Sequence, residues 1–323
     1  MKRFCMIILI VATSIFNCFG QLIINEEPII LDTESGKIYG TLRVPPTNNK
    51  SVPIAILIAG SGPTDRNGNQ PQMQNNSLKM LSEALFYNGI ATLTFDKRGI
   101  GESKDSMKSE ADLRFENYIN DVKAWIKLLE ADKRFSEISI IGHSEGSLIG
   151  MIASQNTPSV TKYISLAGVA EPAANILKEQ LSKQLVTQPK SVQDLIFSYI
   201  DKLENGEMIE DVPMSLNSLF RPSVQPYMIS WFKYDPQTEI KKLTIPVLIV
   251  QGANDVQVTS QQADLLQNAN QKAQKYIIEN MTHVLKDYDQ TDMISQQAVY
   301  TNPTLPLNKE LVEIIIDFLK KEK

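Results

Sequence analysis

Cysteine is nearly absent from this 323-residue chain, which has two, Cys5 and Cys18, both in its first twenty residues. If that segment is removed the remainder has none, which excludes a disulfide framework, a cysteine nucleophile and thiolate metal sites. Histidine is equally scarce, with only His143 and His283, so any chemistry that needs an imidazole base must use one of these two. No basic stripe is present and the formal charge is −5, a poor basis for nucleic-acid binding. Internal repeats and low-complexity tracts are also missing. Apolar and charged fractions of 42% and 21% are those of an ordinary globular chain, and its length is enough to bury a full core without covalent staples.

The N-terminus differs from the rest. Lys2 and Arg3 precede an apolar run from Phe4 to Phe16, and Cys18-Phe-Gly20 puts small residues before Gln21. This is the layout of a secretory signal peptide over residues 1–20, and the run is short for a membrane span. The competing readings are an N-terminal membrane anchor and a lipoprotein leader, the latter opposed by Asn17 just before Cys18. The signal-peptide reading predicts an exported protein, periplasmic or secreted, with no stable membrane partner after cleavage.

Beyond the leader, extended and helical patterns alternate. Two short extended runs flank a Ser35-Gly36 turn. Pro53 to Ala59 is continuously apolar, Ile90 to Phe95 reads as another buried strand, and Ile138 to Gly142, Lys162 to Ala167 and Pro246 to Gln251 read as strands, with a last strand at Lys275 to Glu279. Continuous apolarity suits strands covered on both faces of a parallel sheet. Helical spacing appears over Ser77 to Asn88, Phe115 to Ala131, Glu145 to Gln155 and Leu307 to Lys320. The pattern predicts an α/β fold, a mostly parallel sheet with helices on both faces. The interval 171–240 breaks the alternation, helical to about Leu203 and then irregular with Pro213, Pro222, Pro226 and Pro236. It is expected to be an inserted helical cap dividing the core into 21–170 and 241–323.

Gly142-His-Ser-Glu-Gly146 fits G-x-S-x-G, the turn that raises a nucleophilic serine between a strand and a helix. The bare pattern arises by chance in roughly one chain of this size in ten, so context decides, and here a strand precedes it and a helix follows. Ser144 is the candidate nucleophile. His283, placed shortly after the last strand, is the candidate general base, with His143 a supporting residue beside the nucleophile. Asp255, directly after the strand ending at Gln251, is the candidate acid, giving the chain order Ser…Asp…His. Asp287 and Asp289 are the alternatives, but both follow His283. An oxyanion needs backbone donors. The candidates are Glu145 N–H, at a helix N-terminus, and Ser61 N–H in the Gly60-Ser-Gly62 turn, with Gly62 as the alternative in that turn.

Together, Ala59-Gly-Ser-Gly-Pro63, Asp96-Lys-Arg-Gly-Ile-Gly-Glu-Ser103, the Ser144 turn, Gln251-Gly-Ala-Asn-Asp255 and Thr282-His283 resemble the α/β-hydrolase superfamily, in its esterase and serine-aminopeptidase-like branch with a helical cap. The stretch Gly60 to Asn69 is similar to that of exported bacterial hydrolases. The resemblance runs from about Pro28 to the end, apart from the cap. It implies an α/β-hydrolase fold of about eight strands, no metal or organic cofactor, and structural work for Asp96 and Arg98. The family's usual His-Gly before the oxyanion residue is Ala59-Gly60 here, which keeps a backbone donor but removes a side chain.

The expected activity is hydrolysis of a small-molecule carboxylic ester through an acyl-serine intermediate. Three alternatives stand beside it: a peptidase holding a free amine with Glu204, Glu207, Glu210 and Asp211; another acyl transfer or thioester hydrolysis; and a non-catalytic binding protein on a hydrolase scaffold. Tyr227, Trp231 and Phe232, with Tyr234, either line an apolar substrate pocket or pack the cap onto the sheet.

Overall fold

The computed structural model describes residues 24–47 and 50–321. The leader expected over residues 1–20, with both cysteines, lies outside the described residues. Among the described residues, no helix is long and apolar enough to cross a membrane.

Eight strands form one sheet in the order β1-β2-β4-β3-β5-β6-β7-β8. In chain order they are β1 (Glu26–Thr33), β2 (Gly36–Arg43), β3 (Val52–Ile58), β4 (Ala91–Phe95), β5 (Phe135–His143), β6 (Val160–Leu166), β7 (Val247–Gly252) and β8 (Gln274–Ile278). β1 and β2 are a hairpin around the Ser35-Gly36 turn, and β2 joins β4 antiparallel. From β4 onward every pairing is parallel. The chain crosses over at β3, which lies between β4 and β5, so loops leaving the C-terminal ends of β3 and β5 meet. Ligands gather at such a switch point in open α/β sheets.

The strand apolarity is explained by two cores. Ile54, Ile56 and Ile58 face one, Ala55 and Leu57 the other. The first is covered by α2 (Phe115–Glu130) and α3 (Glu145–Ala153), and by α9 (Ser260–Ala269) through Ala263 and Leu266. The second is covered by α1 (Ser77–Tyr87) and α11 (Lys309–Lys320), through Leu81, Leu85, Leu311, Ile315 and Phe318. The parallel strands are thus buried on both faces, as their sequence requires.

Between β6 and β7 the chain is helical: α4 (Ala173–Gln184), α5 (Lys190–Glu204), α6 (Asn217–Phe220), α7 (Gln225–Phe232) and α8 (Pro236–Ile240). This stretch has its own apolar cluster, including Ile196, Tyr199, Ile200, Leu203, Phe220 and Phe232. Residues 205–213 carry no helix, and the expectation of irregular chain after Leu203 is corrected from Met214 onward. Two of the prolines start helices: Pro226 and Pro236 occupy the first turns of α7 and α8. The proline ring is tolerated there because the missing N–H has no intrahelical partner. α9 and α10 (Met293–Tyr300) had no sequence expectation.

Candidate active site

Ser144 follows β5 directly, with φ 54° and ψ −122°, a backbone conformation that costs a non-glycine residue on the order of 1–3 kcal/mol. The surroundings over-determine it. Ser144 N–H donates to the Leu166 carbonyl (2.9 Å), and the Ser144 carbonyl accepts from Ser147 N–H (2.9 Å). A Cβ at Gly142 would lie 2.2 Å from the Gly146 carbonyl oxygen, and one at Gly146 would lie 2.4 Å from that of Ile58. Only glycine at both positions lets β3, the turn and α3 come this close. The motif's glycines are therefore demanded by packing as well as by the turn.

His283 is buried in the loop after β8, and its Nδ1 lies 2.8 Å from Asp255 Oδ2. Asp255, in the loop after β7, is fixed on every side. Its Oδ1 accepts from the backbone N–H groups of Gln257 and Val258 (both 2.8 Å), and Gln251 Nε2 donates to Oδ2 (2.8 Å). Asp287 is instead engaged by Asn308 Nδ2 (2.6 Å), and Asp289 is exposed.

The second histidine has a definite place. His143 Nε2 lies 2.7 Å from the His283 carbonyl oxygen; since a carbonyl only accepts, that nitrogen carries the proton. Burial first, and then the neighbouring His283, push the His143 imidazole down to about 4, so it is neutral near neutral pH. The neutral ring ties the nucleophile turn to the backbone of the His283 loop.

A cavity of about 90 Å³ lies against Ser144 and His283. Ser61, Thr64 and Gln70 line one side, and Gln257, Val284 and Tyr300 the other. Among the described residues, no aspartate or glutamate lines it. The 60–77 loop that forms one wall is tied by side chains. Thr64 Oγ1 donates to the Ser61 carbonyl (2.7 Å) and accepts from Gln70 Nε2 (2.9 Å). On the other wall Gln257 Nε2 donates to Tyr300 Oη (2.7 Å). Burial and the nearby Asp255 carboxylate raise the Tyr300 phenol, which stays protonated.

Ser61 lines the same cavity as Ser144, and Glu145, the other candidate backbone donor, opens α3 next to Ser144. Tyr227, Trp231 and Phe232 are placed elsewhere. None of them lines the cavity. Tyr227 and Trp231, one helical turn apart on α7, pack against Phe115 of α2 at ring separations of 6.3 and 6.1 Å. Phe232 belongs to the apolar cluster of the helical insertion. Of the two readings open in the sequence, the packing role is the one the geometry gives. The insertion's carboxylates are also away from the cavity: Glu204 pairs with Lys178 (3.2 Å), and Glu207, Glu210 and Asp211 are exposed.

Asp96 accepts from Arg66 N–H (2.8 Å), Arg66 Nη2 (2.7 Å) and Glu102 N–H (2.9 Å), and Arg98 pairs with Asp121 (2.6 Å). Asp96 holds the loops carrying Arg66 and Glu102 together, and Arg98 ties the loop after β4 to α2, in keeping with structural work. Between them stands a residue that sequence reasoning passed over. Lys97 is 2% exposed, and its ammonium donates to the Gly60 carbonyl (2.6 Å). The available signal was a lysine two residues beyond a strand buried along its whole length. Among the described residues, no group of three or more His, Cys, Asp or Glu side chains could hold a metal ion.

Comparison with known proteins agrees with this architecture. The family described as "Serine aminopeptidase, S33" matches residues 74–287. Esterase EstD of Thermotoga maritima is 26% identical over 253 residues, 75% of this chain and 54% of that protein. Human gastric triacylglycerol lipase is 27% identical over 187 residues, 54% of this chain and 45% of that one. The chain thus spans about half the length of these curated relatives. Among solved structures, Est1E from Butyrivibrio proteoclasticus superposes with a TM-score of 0.59 at 18% identity, covering 91% of this chain and 99% of the other. A Pyrococcus furiosus esterase does so with a TM-score of 0.59 at 15% identity, covering 92% and 90%. At those identities the likeness is one of fold. The family match covers more than half of the chain, and the sheet order, the glycine-flanked serine turn and the solved neighbours accord with it: this chain belongs to the serine aminopeptidase S33 family of α/β hydrolases.

Proposed function

We propose that this protein hydrolyses carboxylic esters of short acyl groups through an acyl-serine intermediate. The observation that carries the reading is the 2.8 Å bond from His283 Nδ1 to Asp255 beside a serine held at φ 54°. In this reading Ser144 Oγ attacks the ester carbonyl and passes its proton to His283 Nε2. Asp255 holds the imidazole's tautomer and stabilises the imidazolium. The oxyanion is met by Ser61 and Glu145 N–H groups. Collapse expels the alcohol, protonated by His283, and a water activated by the same histidine frees the acid.

Cavity size supports a short acyl group. At about 90 Å³ the cavity is small, and Thr64, Gln70 and Tyr300 line it beside Ser144. The absence of a carboxylate from its lining disfavours an aminopeptidase, which needs an acid to hold the substrate's free amine. Esterase activity in the relatives' names points the same way. The leader read from residues 1–20 makes this an exported enzyme, and N-terminal sequencing of the mature protein should then begin at Gln21.

The test is turnover of p-nitrophenyl acetate, butyrate and octanoate beside an aminoacyl-p-nitroanilide panel, with wild type and Ser144→Ala. Ester turnover that falls from acetate to octanoate and vanishes in Ser144→Ala is the expected result. Anilide turnover exceeding ester turnover would overturn the proposal in favour of a peptidase.

A further inference from the structure

We propose that Lys97 is a positioning residue for catalysis: by holding the Gly60 carbonyl from the core side, it aims the Ser61 N–H at the place where the acyl oxyanion forms beside Ser144. The inference rests on the reading of Ser144 as nucleophile and adds to it a residue that touches no substrate.

Peptide geometry makes the link. A trans peptide is planar, and its C=O and N–H point in opposite directions. The Gly60 carbonyl and the Ser61 N–H belong to one peptide, so a donor that fixes the first fixes the second. Lys97 Nζ lies 2.6 Å from that carbonyl. The peptide is also adjacent to the nucleophile, because a Cβ on Gly60 would lie 3.1 Å from Ser144 Cβ. On the outer side Thr64 holds the Ser61 carbonyl, at 2.7 Å, which orients the next peptide and the Gly62 N–H. The two candidate donors in this turn are thus governed by different side chains.

Lys97 is itself held in place. Its ammonium lies 3.5 Å from Glu145 Oε1 and 4.8 Å from the centre of the Tyr118 ring. Tyr227 Oη donates to the same Glu145 oxygen (2.6 Å); burial, followed by the Glu145 charge, keeps that phenol protonated. Among the described residues the other oxygen, Glu145 Oε2, is buried without a hydrogen-bond partner. A buried lysine and glutamate are not a cheap way to join a loop to a core, since an apolar pair of similar volume does so at no desolvation cost. What the charged pair adds is a directional donor on the Gly60 oxygen. Glu145 therefore has two parts in the arrangement: its own N–H is one candidate oxyanion donor, and its side chain steadies the lysine that aims the other.

The experiment compares wild type, Lys97→Met, Lys97→Gln and Thr64→Val for kcat and KM on p-nitrophenyl acetate. It also measures inhibition by a trifluoromethyl ketone. Ser144 Oγ adds to the ketone carbon, its proton passes to His283, and the former carbonyl oxygen becomes an oxyanion, so the inhibition constant reads the oxyanion site directly. Losing a donor outright costs about 10²–10³ in kcat, and a misplacement of about 1 Å can cost about 10². Lys97→Met is expected to lower kcat by about 30- to 100-fold with KM within about threefold, and to weaken the ketone by the same factor. Lys97→Gln, with a shorter donor, falls between it and wild type, and Thr64→Val loses less than Lys97→Met. Unchanged kcat in folded Lys97→Met, or lost kcat with unchanged ketone affinity, overturns the proposal. A larger loss in Thr64→Val also overturns it, by assigning the donor to Gly62. If Lys97→Met does not fold, the same joint shift of kcat and ketone affinity, at least about threefold, is required of Lys97→Gln. An active Ser144→Ala would instead defeat the underlying reading, whatever Lys97 does.

Discussion

At the C-terminal ends of β5 and β7 and in the loop after β8, hydrogen bonds fix His143, Asp255 and His283 in place. In the helical stretch from Ala173 to Ile240, similar residues are used in packing. Asp255 has four hydrogen-bonding neighbours, and Ser144 is held in a conformation that glycines at 142 and 146 alone permit. Tyr227 and Trp231, by contrast, lie against Phe115, and Phe232 and Phe220 fill the insertion's own interior. Strand ends in a parallel sheet face a shared crevice, so residues there are exposed to chemistry by topology. A helix offers several faces, and an aromatic residue on it reads equally as pocket wall or as core.

That contrast is sharpest in the largest expected effects. Ser144→Ala and His283→Ala should each lower kcat by about 10⁴–10⁶, and Asp255→Asn by about 10⁴, with thermal midpoints near wild type. A variant retaining a tenth of the activity would break the picture of one fixed constellation. The insertion should respond in the opposite way. Phe220, fully buried in its cluster, is expected to cost about 3–5 kcal/mol on replacement by alanine, as read by urea denaturation, while the folded fraction keeps its kcat. A smaller test concerns Trp231→Leu: the thermal midpoint should fall and KM for p-nitrophenyl acetate should stay within about twofold. A KM shift of tenfold would return α7 to the substrate.

The smallest expected effect is on pH dependence. Folding lowers the His143 imidazole from its ordinary 6.5 to about 4, through burial first and then His283. Between those values the unfolded chain binds more protons than the folded one. The stability contributed by neutral His143 is therefore complete above pH 6.5 and is lost as the pH falls toward 4, at up to about 1.4 kcal/mol per pH unit. Replacing His143 with glutamine should flatten that slope in urea titrations over the same interval. An unchanged slope would mean that other groups carry the acid sensitivity.

Much of the sheet was legible because strands buried on both faces must be largely apolar. Pro53 to Ala59 and Pro246 to Gln251 announced β3 and β7 within a residue or two. Scarcity made the site residues legible too: with two histidines and one inside the serine turn, His283 stood alone. The sequence was silent on α9, whose Ser260-Gln-Gln262 opening is polar and whose buried face is only Gln262, Ala263 and Leu266. It misled after Leu203, where prolines that start short helices look like breaks. Lys97 was passed over for a different reason. Its importance lies in a carbonyl 37 residues away in the chain, and no local pattern records where a lysine's ammonium will end.

The most direct test of the central claim is mass spectrometry of enzyme quenched with acid during turnover of p-nitrophenyl acetate. An acetyl group is expected on the peptide containing Ser144, accumulating further in His283→Gln if deacylation becomes the slower step there, and absent from Ser144→Ala. Acetate release at the wild-type rate from Ser144→Ala, or acetyl found on another residue during productive turnover, would contradict it.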